Sequence, residues 1–94
     1  MTVTRHATVK TRDGLHVRPV SALAALCRRH ASTVRLRKKN ALPDDPCANG
    51  REMFELMILA AQYGEGIVVE VEGEDAEALA AAVCELIETD FDNG

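Results

Sequence analysis

The 94 residues suffice for one domain with one modest core, and 47% of them are apolar, which excludes a disordered chain. A formal net charge of −4 disfavours the broad phosphate-backbone attraction on which general nucleic-acid binding rests. No early apolar run resembles a signal peptide and none is long enough to span a bilayer, so the expected location is cytoplasmic, without membrane insertion.

The elements follow in chain order. Residues 2–9 alternate, with Val3, Ala7 and Val9 on one side and Thr2, Thr4, His6 and Thr8 on the other, which is strand periodicity. Thr11-Arg12-Asp13-Gly14 breaks the alternation as a loop. From Pro19 to about Arg29, Val20, Leu23, Ala24, Leu26 and Cys27 recur at helical spacing. Arg28, Arg29 and His30 suit the negative end of that helix. Pro19 fits only in the first turn, where its missing N–H costs nothing, so the helix starts close to His16. Thr33 to Arg37 alternates as a second strand. Lys38 to Gly50 holds Pro43, Asp44, Asp45, Pro46, Asn49 and Gly50, all turn formers, so any strand there is short and poorly specified.

Glu52 to Gln62 resumes helical spacing through Met53, Leu56, Met57 and Ala60, and Gly64-Glu65-Gly66 is predicted to stop it. Ile67 to Val71 is a strong strand on propensity. Gly73-Glu74-Asp75 forms a turn with Asp75 as N-cap of a last helix, Ala76 to about Thr89. That helix buries Ala76, Leu79, Ala80, Val83, Leu86 and Ile87, and the tail Asp90 to Gly94 is predicted to fray. One sheet with helices packed on one side is the economical α+β solution, with residues 1–94 as a single domain.

Cys27, Cys47 and Cys84 form no C-x-x-C pair, and no His–Cys spacing suits zinc, so free thiols and no metal are expected. His6 and His30 are expected at the surface. Arg35, Arg37, Lys38 and Lys39 form a basic cluster without interleaved aromatic residues, which suits a solvated face or steering toward an acidic partner better than nucleic acid.

Gly14-Leu15-His16-Val17-Arg18-Pro19 is the segment that carries chemistry. A helix N-terminus presents unpaired N–H groups and the positive end of the macrodipole, which together make an anion site. The backbone of Val17 and Arg18 supplies those groups. A neutral imidazole at that place can attack phosphorus, and the Arg18 guanidinium can hold the oxygens of the group it accepts. Phosphoryl transfer has a loose transition state, so positioning and charge stabilisation do most of what is needed. The plain alternatives are a polar His16 at a helix start and a solvated Arg18.

With that motif and that order of elements, the chain closely resembles the HPr family, the histidine-containing phosphocarriers of the bacterial phosphotransferase system. The motif around His16 matches the family's active site, with Val17 where a small residue is usual. Arg51-Glu52-Met53-Phe54-Glu55-Leu56 looks like the start of the family's second helix. Gly64, Ile67 to Val71 and Gly73-Glu74-Asp75 fall at its fourth strand and third-helix start. The resemblance implies an open-faced β-sandwich, a four-stranded antiparallel sheet with three helices on one face. It implies that His16 takes a phosphoryl group from enzyme I, which phosphoenolpyruvate charges, and passes it to an enzyme IIA-type protein. It implies reaction through Nδ1, no cofactor, and partner docking by Leu15, Val20, Met53, Phe54 and Met57.

Two departures stand out. Glu52 occupies a position where the family often has a serine phosphorylated by a dedicated kinase. The Lys38 to Gly50 loop is longer than the family's turn and short third strand, with two prolines inserted. Met53, Phe54 and Met57 fit core packing as well as a docking patch, and Glu52 fits an ordinary first-turn acid as well as a fixed imitation of phosphoserine. A monomeric carrier, not an enzyme, is the expected role, since successive partners need the same face. An interaction module that regulates partners without phosphotransfer is the alternative, as is a small-molecule-binding regulatory domain, which would need a ligand cleft.

Overall fold

The strand richest in apolar residues takes the middle of the sheet. In a computed structural model that describes residues 1–90, β4 (Gly66–Glu72) pairs antiparallel with β1 (Thr2–Thr8) on one side and β2 (Thr33–Lys38) on the other. The two-residue β3 (Ala48–Asn49) pairs antiparallel with Leu36 and Arg35 of β2, giving the order β1-β4-β2-β3. Helices α1 (Val17–Arg28), α2 (Met53–Leu59) and α3 (Ala76–Ile87) complete the described residues. The expected tail lies, from residue 91 on, outside the described residues.

Register decides what each face carries. Val3, Ala7, Val34, Leu36, Ile67, Val69 and Val71 stand opposite one another or alternate in step, and all face the helices. Thr4, Glu70 and Arg35 form a row on the open face, and Val68 lies there between His6 and Arg37. Helix α3 covers β1 and β4, α2 lies over β2 and β3, and α1 packs against both α2 and α3. Leu23, Leu36, Leu56, Ile67, Leu79 and Ile87 are fully buried where these layers meet. Cys27 is buried among them, and burial pushes its thiol up to about 11. Among the described residues no helix is long and apolar enough to cross a membrane.

Helix α2 is shorter than its composition suggests. It stops at Ala60, which adopts a left-handed φ of 51°, and not at Gly64. Ala60, Ala61 and Gln62 are sound helix formers, yet one tertiary bond and one local side-chain bond claim the last two. The Ala61 carbonyl accepts the Leu15 N–H at 2.8 Å, and the Gln62 N–H donates to Glu65 Oε1 at 2.7 Å. That N–H, followed by Lys38 Nζ at 3.3 Å, holds the Glu65 carboxyl below its ordinary pKa. Seven residues are too few to form a stable helix alone, so α2 exists through the burial of Leu56. That burial contributes about 1.5–3 kcal/mol.

Three expectations change around α3. Asp75 occupies the N-cap position of α3 but makes no side-chain capping bond. Its carboxylate instead accepts the buried Ser32 hydroxyl and pairs with His30 Nδ1 at 2.7 Å. His30 is therefore a half-buried partner of Asp75, not a free surface residue. Leu86 is only half-buried, because it lies one position off the stripe formed by Ala76, Leu79, Ala80, Val83 and Ile87. The short third strand also has a cause: after Lys38 the chain turns through prolines and returns to the sheet for two residues.

The Ser32 hydroxyl first and the His30 ring second hold the Asp75 carboxyl below its ordinary pKa of 3.8. A depressed carboxyl stabilises the fold fully above its unfolded pKa and ceases to do so as pH falls through the folded one. Asp75→Asn should therefore melt below wild type at neutral pH, with the gap closing below about 3.8. Calorimetry across that range checks it, and coincident melting temperatures at neutral pH would contradict it.

Candidate functional site

His16 sits at the N-cap of α1 with extended backbone, φ −83° and ψ −171°. The first helical bond runs from the Val20 N–H to the His16 carbonyl at 3.0 Å. The Val17 and Arg18 amides precede it, where a helix supplies no acceptor, and Pro19 has no N–H to satisfy. Pro19 is buried, so the helix start is packed in place. The His16 ring makes no capping bond, and no acidic side chain stands in the first turn. The first turn of this 12-residue helix thus adds no acid to its positive pole and does add the Arg18 cation. A cation there is unfavourable by about 0.3–1 kcal/mol, a cost that a bound anion offsets.

The His16 side chain is half-buried, and its Nε2 atom is screened from solvent. Val17 and Arg18 are exposed. The segment before His16 is a series of tight bonds: the Gly14 N–H donates to the Thr11 carbonyl at 2.9 Å and the His16 N–H to the Gly14 carbonyl at 2.9 Å. Thr11 is fully buried and donates its hydroxyl to the Thr89 carbonyl at 2.8 Å. The imidazole therefore stands on a braced loop at an amide-rich pole, an arrangement that can hold an oxyanion against a ring nitrogen.

The expected docking residues divide. Leu15 and Val20 are core residues, 5% and 0% exposed, and offer no surface to a partner. The physical reason is periodicity: Val20 shares a stripe with Leu23, Ala24 and Cys27, and Leu15 is turned inward by its bond to Ala61. Met53 is half-buried against the core, Phe54 is 86% exposed and Met57 39%. Ile58, 73% exposed on the same helix, is not among the residues expected from sequence and lines a cleft beside the 41–48 loop. Its spacing of four from Phe54 on a short helix was the available signal. The Ala61 carbonyl, which braces Leu15, left no signal in the sequence, since any residue supplies a carbonyl.

Glu52 is exposed at the N-cap position of α2 and lies 3.9 Å from Arg28 Nη2. Arg28 Nε also donates to the Arg51 carbonyl at 2.9 Å, and Arg51 donates to the His30 carbonyl. The far end of α1 is thereby tied to the start of α2. Of the basic cluster, Arg35 and Arg37 project from the open face of the sheet while Lys38 pairs with Glu65. A cleft of about 510 Å³ between α2 and the 41–48 loop includes neither His16 nor Arg18. Of its charged groups, Asp45 accepts the Leu42 N–H, Glu55 accepts the Asn49 N–H and Lys38 pairs with Glu65. Among the described residues no group of three His, Cys, Asp or Glu is placed to hold a metal ion.

Comparison with known proteins bears on this geometry. The PTS-HPr family, described as the PTS HPr component phosphorylation site, matches residues 3–89. A phosphocarrier protein HPr of Borreliella burgdorferi is 31% identical over 87 residues, 93% of this chain and 95% of that protein. A phosphocarrier protein NPr of Proteus mirabilis is 30% identical over 92 residues, 98% of each chain. The crystal structure of a phosphocarrier protein HPr from Bacillus anthracis superposes with a TM-score of 0.80 at 25% identity, covering 90% of this chain and 95% of that one.

The division between core and surface is measurable by urea unfolding. Leu15→Ala should lose about 2–5 kcal/mol through the cavity it leaves. Phe54→Ala and Ile58→Ala should stay within about 0.5 kcal/mol of wild type. A loss at Phe54 as large as that at Leu15 would reverse the assignment.

Proposed function

The chain belongs to the HPr family of phosphotransferase-system phosphocarriers, and on that premise we propose that His16 is the residue that carries the phosphoryl group. The observation that bears most of the weight is the placing of the imidazole at an α1 N-terminus with a cation and no acid in its first turn. Burial of Nε2 supports reaction through the other ring nitrogen, Nδ1.

The donor is phosphorylated enzyme I, itself charged by phosphoenolpyruvate. The Nδ1 lone pair attacks phosphorus, a new N–P bond forms, and the bond from phosphorus to the donor breaks with its electron pair leaving on the donor. The incoming group brings negative charge to the helix pole, where the Val17 and Arg18 amides and the Arg18 guanidinium meet it. The same steps in reverse deliver it to an enzyme IIA-type acceptor. His16 needs to hold the group only between encounters, so the protein is a cytoplasmic carrier and co-substrate, not an enzyme.

Both partners meet the same face. Phe54, Met57 and Ile58 give that face adaptable apolar contacts, with Met53 partly behind them. A monomer keeps it open to each partner in turn. Glu52, where relatives often carry a serine, places a permanent negative charge beside the patch, and Arg28 partly balances it.

Incubation with phosphoenolpyruvate and enzyme I tests the assignment by mass spectrometry. Wild type, His6→Ala and His30→Ala should each gain an acid-labile adduct of one phosphoryl mass, and His16→Ala should not. Persistence of the adduct in His16→Ala would move the site elsewhere. Arg18→Ala should slow uptake roughly tenfold or more, as expected for loss of a charge-assisted hydrogen bond worth about 1.5–3 kcal/mol, while unfolding within about 0.5 kcal/mol of wild type.

A further inference from the structure

We infer that Ala60 and Ala61, the two residues that follow α2, are positioning residues for His16; the inference rests on the phosphoacceptor role just proposed. Three observations converge on one carbonyl. The Leu15 N–H, one peptide before His16, donates to the Ala61 carbonyl at 2.8 Å. Gly14, one residue earlier and at φ +76°, lies so close to that carbonyl that a Cβ on it would sit 2.5 Å from the oxygen and 3.1 Å from Gln62 Cα. Among the described residues Ala60 is the one non-glycine with positive φ, 51°, and this turn is what presents the Ala61 carbonyl to the loop.

A left-handed alanine persists where its surroundings over-determine it. Here they do so from both sides. The Ala60 N–H donates to the Met57 carbonyl at 3.1 Å, and the Ala60 carbonyl accepts Gln62 Nε2 at 3.0 Å. The Ala61 side chain is 1% exposed, which seats the turn on the core. The carbonyl therefore has one height relative to the sheet, and the Leu15 peptide takes its height from it. His16 follows directly, with its own N–H folded back onto the Gly14 carbonyl at 2.9 Å.

The brace directly follows the helix that carries Phe54, Met57 and Ile58. A partner seated on α2 thus bears on an element whose C-terminal turn leads, two residues beyond Leu59, to the carbonyl bonded to the residue preceding the imidazole. Attack on phosphorus tolerates little misplacement, so the brace governs the rate of the chemical step more than the affinity for the donor.

Two glycines at positive φ make the test specific. Gly14→Ala forces a Cβ onto the Ala61 carbonyl, whereas Gly64→Ala, at φ +86°, places a Cβ where nothing lies within 4 Å. Both pay for a strained backbone, and only the first disturbs the brace. In a further variant the Leu15 residue is replaced by its α-hydroxy acid analogue, which removes the N–H and leaves every side chain in place. We expect Gly14→Ala and the ester to shift the His16 ring resonances and to lower the maximal rate of phosphoryl uptake by about tenfold or more, with KM unchanged. Gly64→Ala should keep both the resonances and the rate of wild type.

Wild-type ring resonances in the folded ester would overturn the inference, as would an equal shift in Gly64→Ala. Should Gly14→Ala fail to fold, the ester decides. Should wild type itself take up no phosphoryl group, the proposed function falls, and the ring resonances still decide whether Ala61 sets the position of His16.

Discussion

The missing N–H of Pro19 is the constraint on which the rest of this molecule turns. A helix interior does not tolerate that loss, so α1 begins where the loss is harmless, and its amide pole opens at Val17 and Arg18. Burial of Pro19 keeps the helix start from fraying. His16 then falls at the N-cap by count, and whatever chemistry it performs takes place in the field of that pole.

The remainder of the fold reads as support for this one terminus. The apolar run of β4 draws β1 and β2 to either side, and the face they share gives α1 and α3 something to pack upon. The loop between β1 and α1 cannot wander, because Thr11 is pinned to the end of α3 and Leu15 to the end of α2. At the other end of α1, Arg28, Arg51, His30, Ser32 and Asp75 join three elements through hydrogen bonds and ion pairs. Exposed ion pairs of that kind each contribute little, about 0–1 kcal/mol. Apolar burial carries the stability, and the polar ties set where the helices begin and stop.

A carrier has unusual requirements. It must hold a reactive group without trapping it, and it must release one partner to meet the next. Exposure of Arg18 and Val17 suits the first, since charge in contact with water is screened and binds loosely. Exposed apolar residues on a short helix suit the second. Helix α2 has one fully buried side chain, Leu56, and leaves Phe54, Met57 and Ile58 exposed.

Periodicity in the chain was enough to place the helices and long strands, the two faces of β1, and the start of α1, because a proline and an apolar stripe are local signals. It also pointed to His16 and Arg18, whose proposed chemistry depends on spacing along the chain. Tertiary structure alone decided that α2 stops at Ala60 and that His30 pairs with Asp75. It alone turned Leu15 inward and left Ile58 out. Those outcomes rest on backbone carbonyls, on register and on neighbours forty or more residues away along the chain, and no residue type announces a contact of that kind before the layers close.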